Sequence, residues 1–430
     1  MVVLTVLVGL AVLAAFAALH WYAWRRLVRD TTAGPGLARR AGTAVFVAGP
    51  LLMFGALVAE RSGAPFLLQQ VLAWPGFMWL AVSLYLLLAL LVGELVRPLL
   101  RRWVGRESVP EPVSVSAAAA DVTPDTPPEP EPEPKPEPEP EPKPEPATAP
   151  ARPAPAPSRR LFVSRVVGGA AAAVAAGTVG YGTYGVLRGP KVKRVTVPLA
   201  KLPRGAHGFR IAVVSDIHLG PILGRGFSQR VVDTVNATQP DLIAVVGDLV
   251  DGSVEDLGPA AAPLAGLRAK HGAYFVTGNH EYFSGAEQWV DHVRELGLHP
   301  LRNARTELPG FDLAGVDDVA GEGEGKGPDF AKALGDRDRS RASVLLAHQP
   351  VVIHDAVEHG VDLQLSGHTH GGQLWPGNLV ADLANPTLAG LERYGDTQLY
   401  VTRGAGAWGP PVRVGAPSDI TVVELASRQA

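Results

Sequence analysis

The chain of 430 residues contains no cysteine. Disulfides, thiolate metal sites and iron–sulfur ligation are therefore excluded, and a bound metal must take oxygen and nitrogen donors. An excess of one charge is lacking too: 39 basic against 42 acidic side chains leave a formal net charge of −3. Without general basic character, no nucleic-acid partner is expected. Three stretches, residues 2–24, 41–59 and 71–93, lack Asp, Glu, Lys and Arg altogether. Each is close to the ~20 apolar residues that cross a bilayer. Trp21, Tyr22, Trp24 and Trp74 stand near their ends, as aromatic side chains do at membrane interfaces. Residues 1–106 are thus expected to form a membrane region with three transmembrane helices. The first is no simple cleaved signal, because it has no basic front and two more spans follow. No acidic or basic residue lies deep in these spans, so nothing marks a transport pathway.

Residues 107–157 differ in kind, with repeats such as Glu-Pro-Glu-Pro-Glu-Pro-Lys-Pro. Proline removes backbone donors and favours polyproline II, so this is expected to be a disordered, semi-rigid linker without a packed core. Residues 124–157 could reach on the order of 100 Å at ~3.1 Å per residue. Residues 158–190 open with Ser158-Arg159-Arg160-Leu161-Phe162 and continue into an uncharged, Gly/Ala-rich run at 166–187. That pattern resembles a twin-arginine export signal and also reads as a fourth transmembrane helix.

From about Val195 to the C-terminus, short apolar runs alternate with helical segments. Residues 211–214, 242–246, 273–276, 344–347 and 361–365 read as buried strands; 225–238, 259–270, 286–296 and 350–359 read as helices. Further strands are expected at 311–316, 398–402 and 420–425. This alternation argues for a layered α/β domain over 195–430, with both sheet faces covered.

All five buried-type strands lead into residues of metal-ligand type: Asp216-Ile217-His218, Gly247-Asp248, Gly278-Asn279-His280-Glu281, His348, and His368-Thr369-His370. In α/β sheets ligands collect at the carboxyl ends of strands. Asp, Asn and His donors suit Mn, Fe or Zn. The donors are too many for one ion and would serve two ions ~3.5–4 Å apart, sharing a carboxylate.

Ser-Asp-Ile-His-Leu-Gly, Gly-Asp-Leu-Val-Asp, Gly-Asn-His-Glu, Ala-His-Gln-Pro and Gly-His-Thr-His-Gly-Gly-Gln follow in the order seen in calcineurin-like metallophosphoesterases. The chain resembles the bacterial membrane-associated, twin-arginine-exported branch of that family, from about Val195 onward. Asp419 departs from it, standing where a Glu is common. The resemblance implies a four-layer α-β-β-α sandwich. It implies that Asp216, His218 and His370 hold one ion, that Asn279, His348 and His368 hold a second, and that Asp248 bridges them. His280 would act as a general acid beside the metals, Asp251 would be structural, and Gln373 and the Gly371-Gly372 backbone could touch a phosphate oxygen. The expected cofactors are two divalent or transition-metal ions. The expected function is a membrane-anchored hydrolase of phosphate mono- or diesters, acting by attack of a metal-bridging hydroxide, with a lipid-linked phosphoester as a substrate class suited to the spans. The alternative is a membrane sensor or scaffold that binds a phosphorylated ligand without turnover.

Arginines after the first and third spans and before the fourth place those segments in the cytoplasm. The catalytic domain of a multi-pass cell-membrane protein would then lie outside. Arg188, Lys191, Lys193 and Arg194 beyond the fourth span count against this on charge alone, and the twin-arginine pattern favours it.

Overall fold

The computed structural model describes residues 2–106 and 159–429; the expected linker at 107–157 lies outside the described residues. Four long helices come first: α1 (Val2–Trp24), α2 (Leu37–Arg61), α3 (Phe66–Arg106) and α4 (Arg159–Leu187). All four are long and apolar enough to cross a membrane. Then follow β1 (Lys191–Leu199), β2 (Phe209–Val214), α5 (Arg225–Ala237), β3 (Leu242–Val246), α6 (Val254–Ala261), β4 (Ala273–Val276), α7 (Asn279–Ser284), α8 (Ala286–Glu295), β5 (His299–Pro300), β6 (Ala304–Leu308) and β7 (Phe311–Gly315). The chain continues with α9 (Phe330–Leu334), β8 (Ala342–Leu346), α10 (Ile353–Glu358), β9 (Leu363–Ser366), α11 (Gly377–Ala384), β10 (Gly390–Tyr394), β11 (Thr397–Val401) and β12 (Asp419–Ser427).

Successive residues of a strand point to opposite faces, and here both faces are apolar. In β3, Leu242, Ala244 and Val246 join one buried cluster while Ile243 and Val245 join another. The first cluster lies between two sheets, where it also takes Leu313 of β7, Val344 of β8 and Leu365 of β9. The sheets run β1-β12-β2-β3-β4-β5 and β10-β11-β9-β8-β7-β6. Val231 of α5 and Trp289 of α8 cover the outer face of one. Phe330 of α9 and Ile353 of α10 cover the other. The result is the expected α-β-β-α sandwich. Each fully buried Val, Leu, Ile or Phe contributes about 1.5–3 kcal/mol against about 0–1 kcal/mol for a surface ion pair, so these three cores set the architecture.

Several expectations need correction. The helix expected at 259–270 begins earlier, as α6, because Ser253 Oγ accepts the Asp256 amide and caps it. It then tightens into a 3₁₀ turn at Ala262–Gly266, which carries Pro263 near its start. Strand β1 starts at Lys191, four residues before the expected domain edge, and pairs in parallel with β12 along its length. Helix α11 and the short strands β6 and β10 were not anticipated.

Helix α4 is more than a tether. Gly182 lies so close to the domain that a Cβ there would sit 2.7 Å from Val412 and 2.9 Å from the Arg413 carbonyl. Val186 joins the core beneath the first sheet. His20 is buried between α1 and α3, where it accepts from Trp79 Nε1 at 3.1 Å. At one end of the helices Arg26 pairs with Glu94 at 2.9 Å and Asp30 at 3.0 Å. Arg25, Arg97, Arg101, Arg159 and Arg160 line the same cavity of about 790 Å³.

Candidate metal centre

Five parallel-packed strand ends deliver the polar residues to one rim. Ser215-Asp216 follows β2, Gly247-Asp248 follows β3, Asn279 follows β4, His348 follows β8 and His368 follows β9. Asn279 and His280 are the first two residues of helix α7, so they do not lie on an extended strand end as expected. Their side chains diverge because consecutive helical residues are about 100° apart around the axis.

The expected donors form two groups, and His218, Asp251 and His280 form a third that overlaps the first. Asp216, His218 and His370 can place their ligand atoms within 4.8 Å of one another, and so can Asp248, His348 and His368. In the first, His370 Nε2 lies 3.3 Å from Asp216 Oδ1 and 3.0 Å from His218 Nε2. In the second, Asn279 Oδ1 lies 3.2 Å from His348 Nε2 and 3.0 Å from His368 Nδ1. Asp248 Oδ2 joins the two: it is 3.1 Å from His348 Nε2 and 3.8 Å from His218 Nε2. These spacings fit donors arranged at ~2.0–2.2 Å around divalent ions. The all-oxygen-and-nitrogen set suits Mn, Fe or Zn.

Backbone strain is concentrated at this rim. Asp216, His218, Asp248, His368 and His370 all have φ between 49° and 72°. Left-handed non-glycine residues cost about 1–3 kcal/mol each and persist where the surroundings impose them. Close approach imposes them here. A Cβ on Gly367 would collide with Ser215 Oγ and the Asp216 carboxylate, and one on Gly278 with Asp248. With those positions bare, the His368 amide donates to Asp216 at 3.1 Å and the His280 amide to Asp248 Oδ1 at 2.9 Å.

A surrounding layer fixes the rings. Asp251 Oδ1 accepts from His218 Nδ1 at 2.9 Å and His280 Nδ1 at 2.7 Å. His348 Nδ1 donates to the Val246 carbonyl at 2.8 Å. Buried Arg413 donates to the His370 carbonyl at 3.0 Å, and its Nη2 lies 2.9 Å from His370 Nδ1. The Asp251 and Val246 contacts leave Nε2 of His218 and His348 facing the donor groups. Burial disfavours charge on His280, but its bond to Asp251 and the charges of Asp251 and Asp248 push it up to about 9. Burial likewise opposes ionisation of Asp251, yet the charge and hydrogen bond of His218 hold it down at about 2.

Two residues important to this layer were missed. Glu281 accepts from the amides of Gly278, Asp248 and Leu249 at 2.6, 3.0 and 2.7 Å, tying the second motif to the third. Its place three residues after Gly278, the signature of a helix-capping acid, could have revealed it. Glu60 of α2 lines a cleft of about 300 Å³ with Arg61, Asp251, His280 and Trp408; no local pattern marks that contact. One expectation fails: the Gln373 amide group donates to Trp408 and Pro410 carbonyls and accepts from the Trp408 amide. It holds that loop and does not offer itself to a phosphate. The Gly371 and Gly372 amides donate to Thr369 within their own turn.

Comparison with known proteins agrees with this arrangement. Residues 209–372 match the family described as calcineurin-like phosphoesterase. An uncharacterized metallophosphoesterase of Aquifex aeolicus is 35% identical over 240 residues, which cover 55% of this chain and 91% of that protein. The chain belongs to the calcineurin-like metallophosphoesterases. A zebrafish (Danio rerio) transmembrane protein with a metallophosphoesterase domain is 39% identical over 259 residues, covering 57% of this chain. The chain spans 59% of the length of that relative. Among solved structures, a dimetal phosphatase from Danio rerio aligns over 51% of this chain and 93% of its own, at 12% identity and a TM-score of 0.36.

Asp251 orients two histidines of this metallophosphoesterase and lies outside the two donor groups that Asp248 joins. Asp251→Asn should therefore fold but hold metal about 10–100-fold more weakly. Metal titration of the purified protein, read by elemental analysis, checks this; unchanged affinity would remove the orienting role.

Proposed function

We propose that this metallophosphoesterase is a membrane-anchored, two-metal hydrolase of phosphate mono- or diesters. Asp216, His218 and His370 would hold one divalent ion, Asn279, His348 and His368 a second, and Asp248 would be shared. The observation that carries the reading is Asp248 Oδ2, within 3.8 Å of an imidazole nitrogen from each donor group. Bound divalent ions supply Lewis acidity that lowers the pKa of water and neutralises phosphate charge. The chain's own residues do the rest. Asp251 and Arg413 hold His218 and His370 in register. With Nδ1 tied to Asp251, His280 keeps Nε2 for the substrate. As the bond from phosphorus to the leaving oxygen breaks, that nitrogen gives its proton to the departing alkoxide, a contribution of about 10²–10⁴-fold.

The division into a membrane region at 1–106, a linker at 107–157, an export-signal-like span at 158–190 and a catalytic domain from about 191 supports an extracytoplasmic catalytic site. The arginine-lined end of the helices suits the cytoplasmic side. Glu60 and Arg61, at the opposite end of α2, reach the catalytic cleft. The basic residues after α4, which made the charge count ambiguous, belong mostly to β1. They still lie within the ~15–20 residues of a span's end where such charges count, so the twin-arginine pattern carries the choice. The twin-arginine pattern at Arg159-Arg160 fits export of a folded domain.

The metal-loaded full-length protein should hydrolyse bis(p-nitrophenyl) phosphate and approach two transition-metal ions per chain. Asp248→Asn should lower both metal retention and turnover by at least about 10-fold. Full activity with one ion per chain under metal-replete conditions would refute the two-metal reading.

His280→Ala should keep its metals while losing about 10²–10⁴-fold in turnover of alkyl esters. Nitrophenyl esters need little leaving-group protonation and should lose less. Equal losses for both substrate types would eliminate the acid role.

Because the chain lacks cysteine, one Cys at exposed Asp396 gives a clean topology probe. A membrane-impermeant maleimide should label it in intact cells whose outer barrier is permeable. Labelling only after lysis would put the domain in the cytoplasm.

A further inference from the structure

An open groove of about 700 Å³ begins at His368 and His370 and runs away from the metal centre between α3 and α11. Its walls include Leu80 and Leu84 of α3, Leu374, Val380 and Ala381 around α11, and Pro410. Among the described residues, no Asp, Glu, Lys or Arg lines it. On the far side of the groove α11 exposes Leu379, Val380 and Leu383 to 61%, 71% and 89%. Single exposed leucines need no explanation, but contiguous apolar surface beside an apolar groove marks an interaction site.

The position of the groove along α3 identifies what meets it. Leu84 and Leu80 precede Arg97, in the arginine-lined cavity, by 13 and 17 residues. That is about 20–25 Å of helix, within the ~30 Å of a bilayer's hydrocarbon core. With Arg97 at one boundary, the groove lies at the level of the opposite leaflet. The side of α11 that bears Leu379, Val380 and Leu383 is suited to lie in that leaflet. Tyr85, one residue beyond Leu84, donates to the Trp375 carbonyl at 3.0 Å and fixes the start of the α11 segment to α3. Thus the groove has the candidate metal centre at one end and a membrane-spanning helix for a wall.

We propose that the groove holds the hydrocarbon tail of a membrane phosphoester lipid, which enters sideways from the bilayer between α3 and α11 and presents its phosphate at the metal centre. This rests on the phosphoesterase reading and names its substrate class. The tail binds by burial of methylenes and the phosphate by the donor groups. The cleft beside Glu60, Arg61 and His280, across the site, is left for the polar part of the lipid.

The test uses the full-length, metal-loaded protein in lipid nanodiscs and three substrates with one leaving group: methyl, butyl and octyl p-nitrophenyl phosphate. Rates are referred to free aqueous concentration. Burial of each added methylene should raise kcat/KM by about 2–4-fold. Ala381→Trp and Leu84→Trp, which fill the groove from opposite walls, should flatten that dependence. A flat series in the unaltered protein overturns the proposal. So does a rise that persists in both variants, because the tail then binds the bilayer or another surface. Absence of turnover for all three esters would refute the phosphoesterase reading instead. The groove is then decided by a non-hydrolysable dodecyl phosphonate with a diazirine at the chain end. Cross-links at residues 80–84 and 374–384 support the proposal, and cross-links confined elsewhere overturn it.

Discussion

Two carboxylates, Asp216 and Asp248, are held at one rim by backbone amides from opposing loops, and much of the metallophosphoesterase domain is arranged around them. Both are almost fully buried. A buried carboxylate is tolerable only when fully hydrogen-bonded and matched by positive charge. Asp216 accepts the His368 amide, and Asp248 accepts the His280 amide. Bringing those amides close requires glycine at 278 and 367 and left-handed backbone at the candidate ligands themselves. The strain of about 1–3 kcal/mol at each such residue is offset by the two sheets, whose apolar faces leave the strand ends no freedom to relax. Glu281 extends the same logic, gathering three loop amides on one carboxylate.

The apolar helices take part in this arrangement. Helix α2 brings Glu60 and Arg61 to the cleft beside His280, and Arg61 lies 5.7 Å from the Phe283 ring of α7. Helix α3 touches the Trp375 segment, and α4 seats Gly182 on Val412 and Arg413. Arg413 in turn contacts His370. A short series of packed contacts therefore connects α4, a helix apolar enough to cross a bilayer, to a candidate metal ligand.

The family motifs were fully legible because metal chemistry restricts residue types. Asp, Asn and His after apolar runs have few other uses, and their order along the chain repeated a known pattern. The layering was legible for a different reason: runs such as 242–246, short, β-branched and apolar at every position, suit strands covered on both faces. Capping was partly legible. Ser253 with Asp256, and Gly278 with Glu281, are local signals, and both were overlooked: the first helix was expected at 259–270, and Glu281 was given no role.

What the sequence by itself determined was the set of parts: four apolar helices, a Pro/Glu-rich segment, strands covered on both faces, and donors at strand ends. These follow from composition and short-range periodicity, which neighbouring residues encode. Only the tertiary structure decided how the parts meet. That Asp251 serves His218 and His280 together, that Gln373 faces its own loop, and that Glu60, Leu80 and Leu84 line clefts at the site depend on contacts between residues far apart in the chain. No local pattern specifies such contacts. They arise when packing of the sheets, and of the helices beside them, leaves each side chain one place to go.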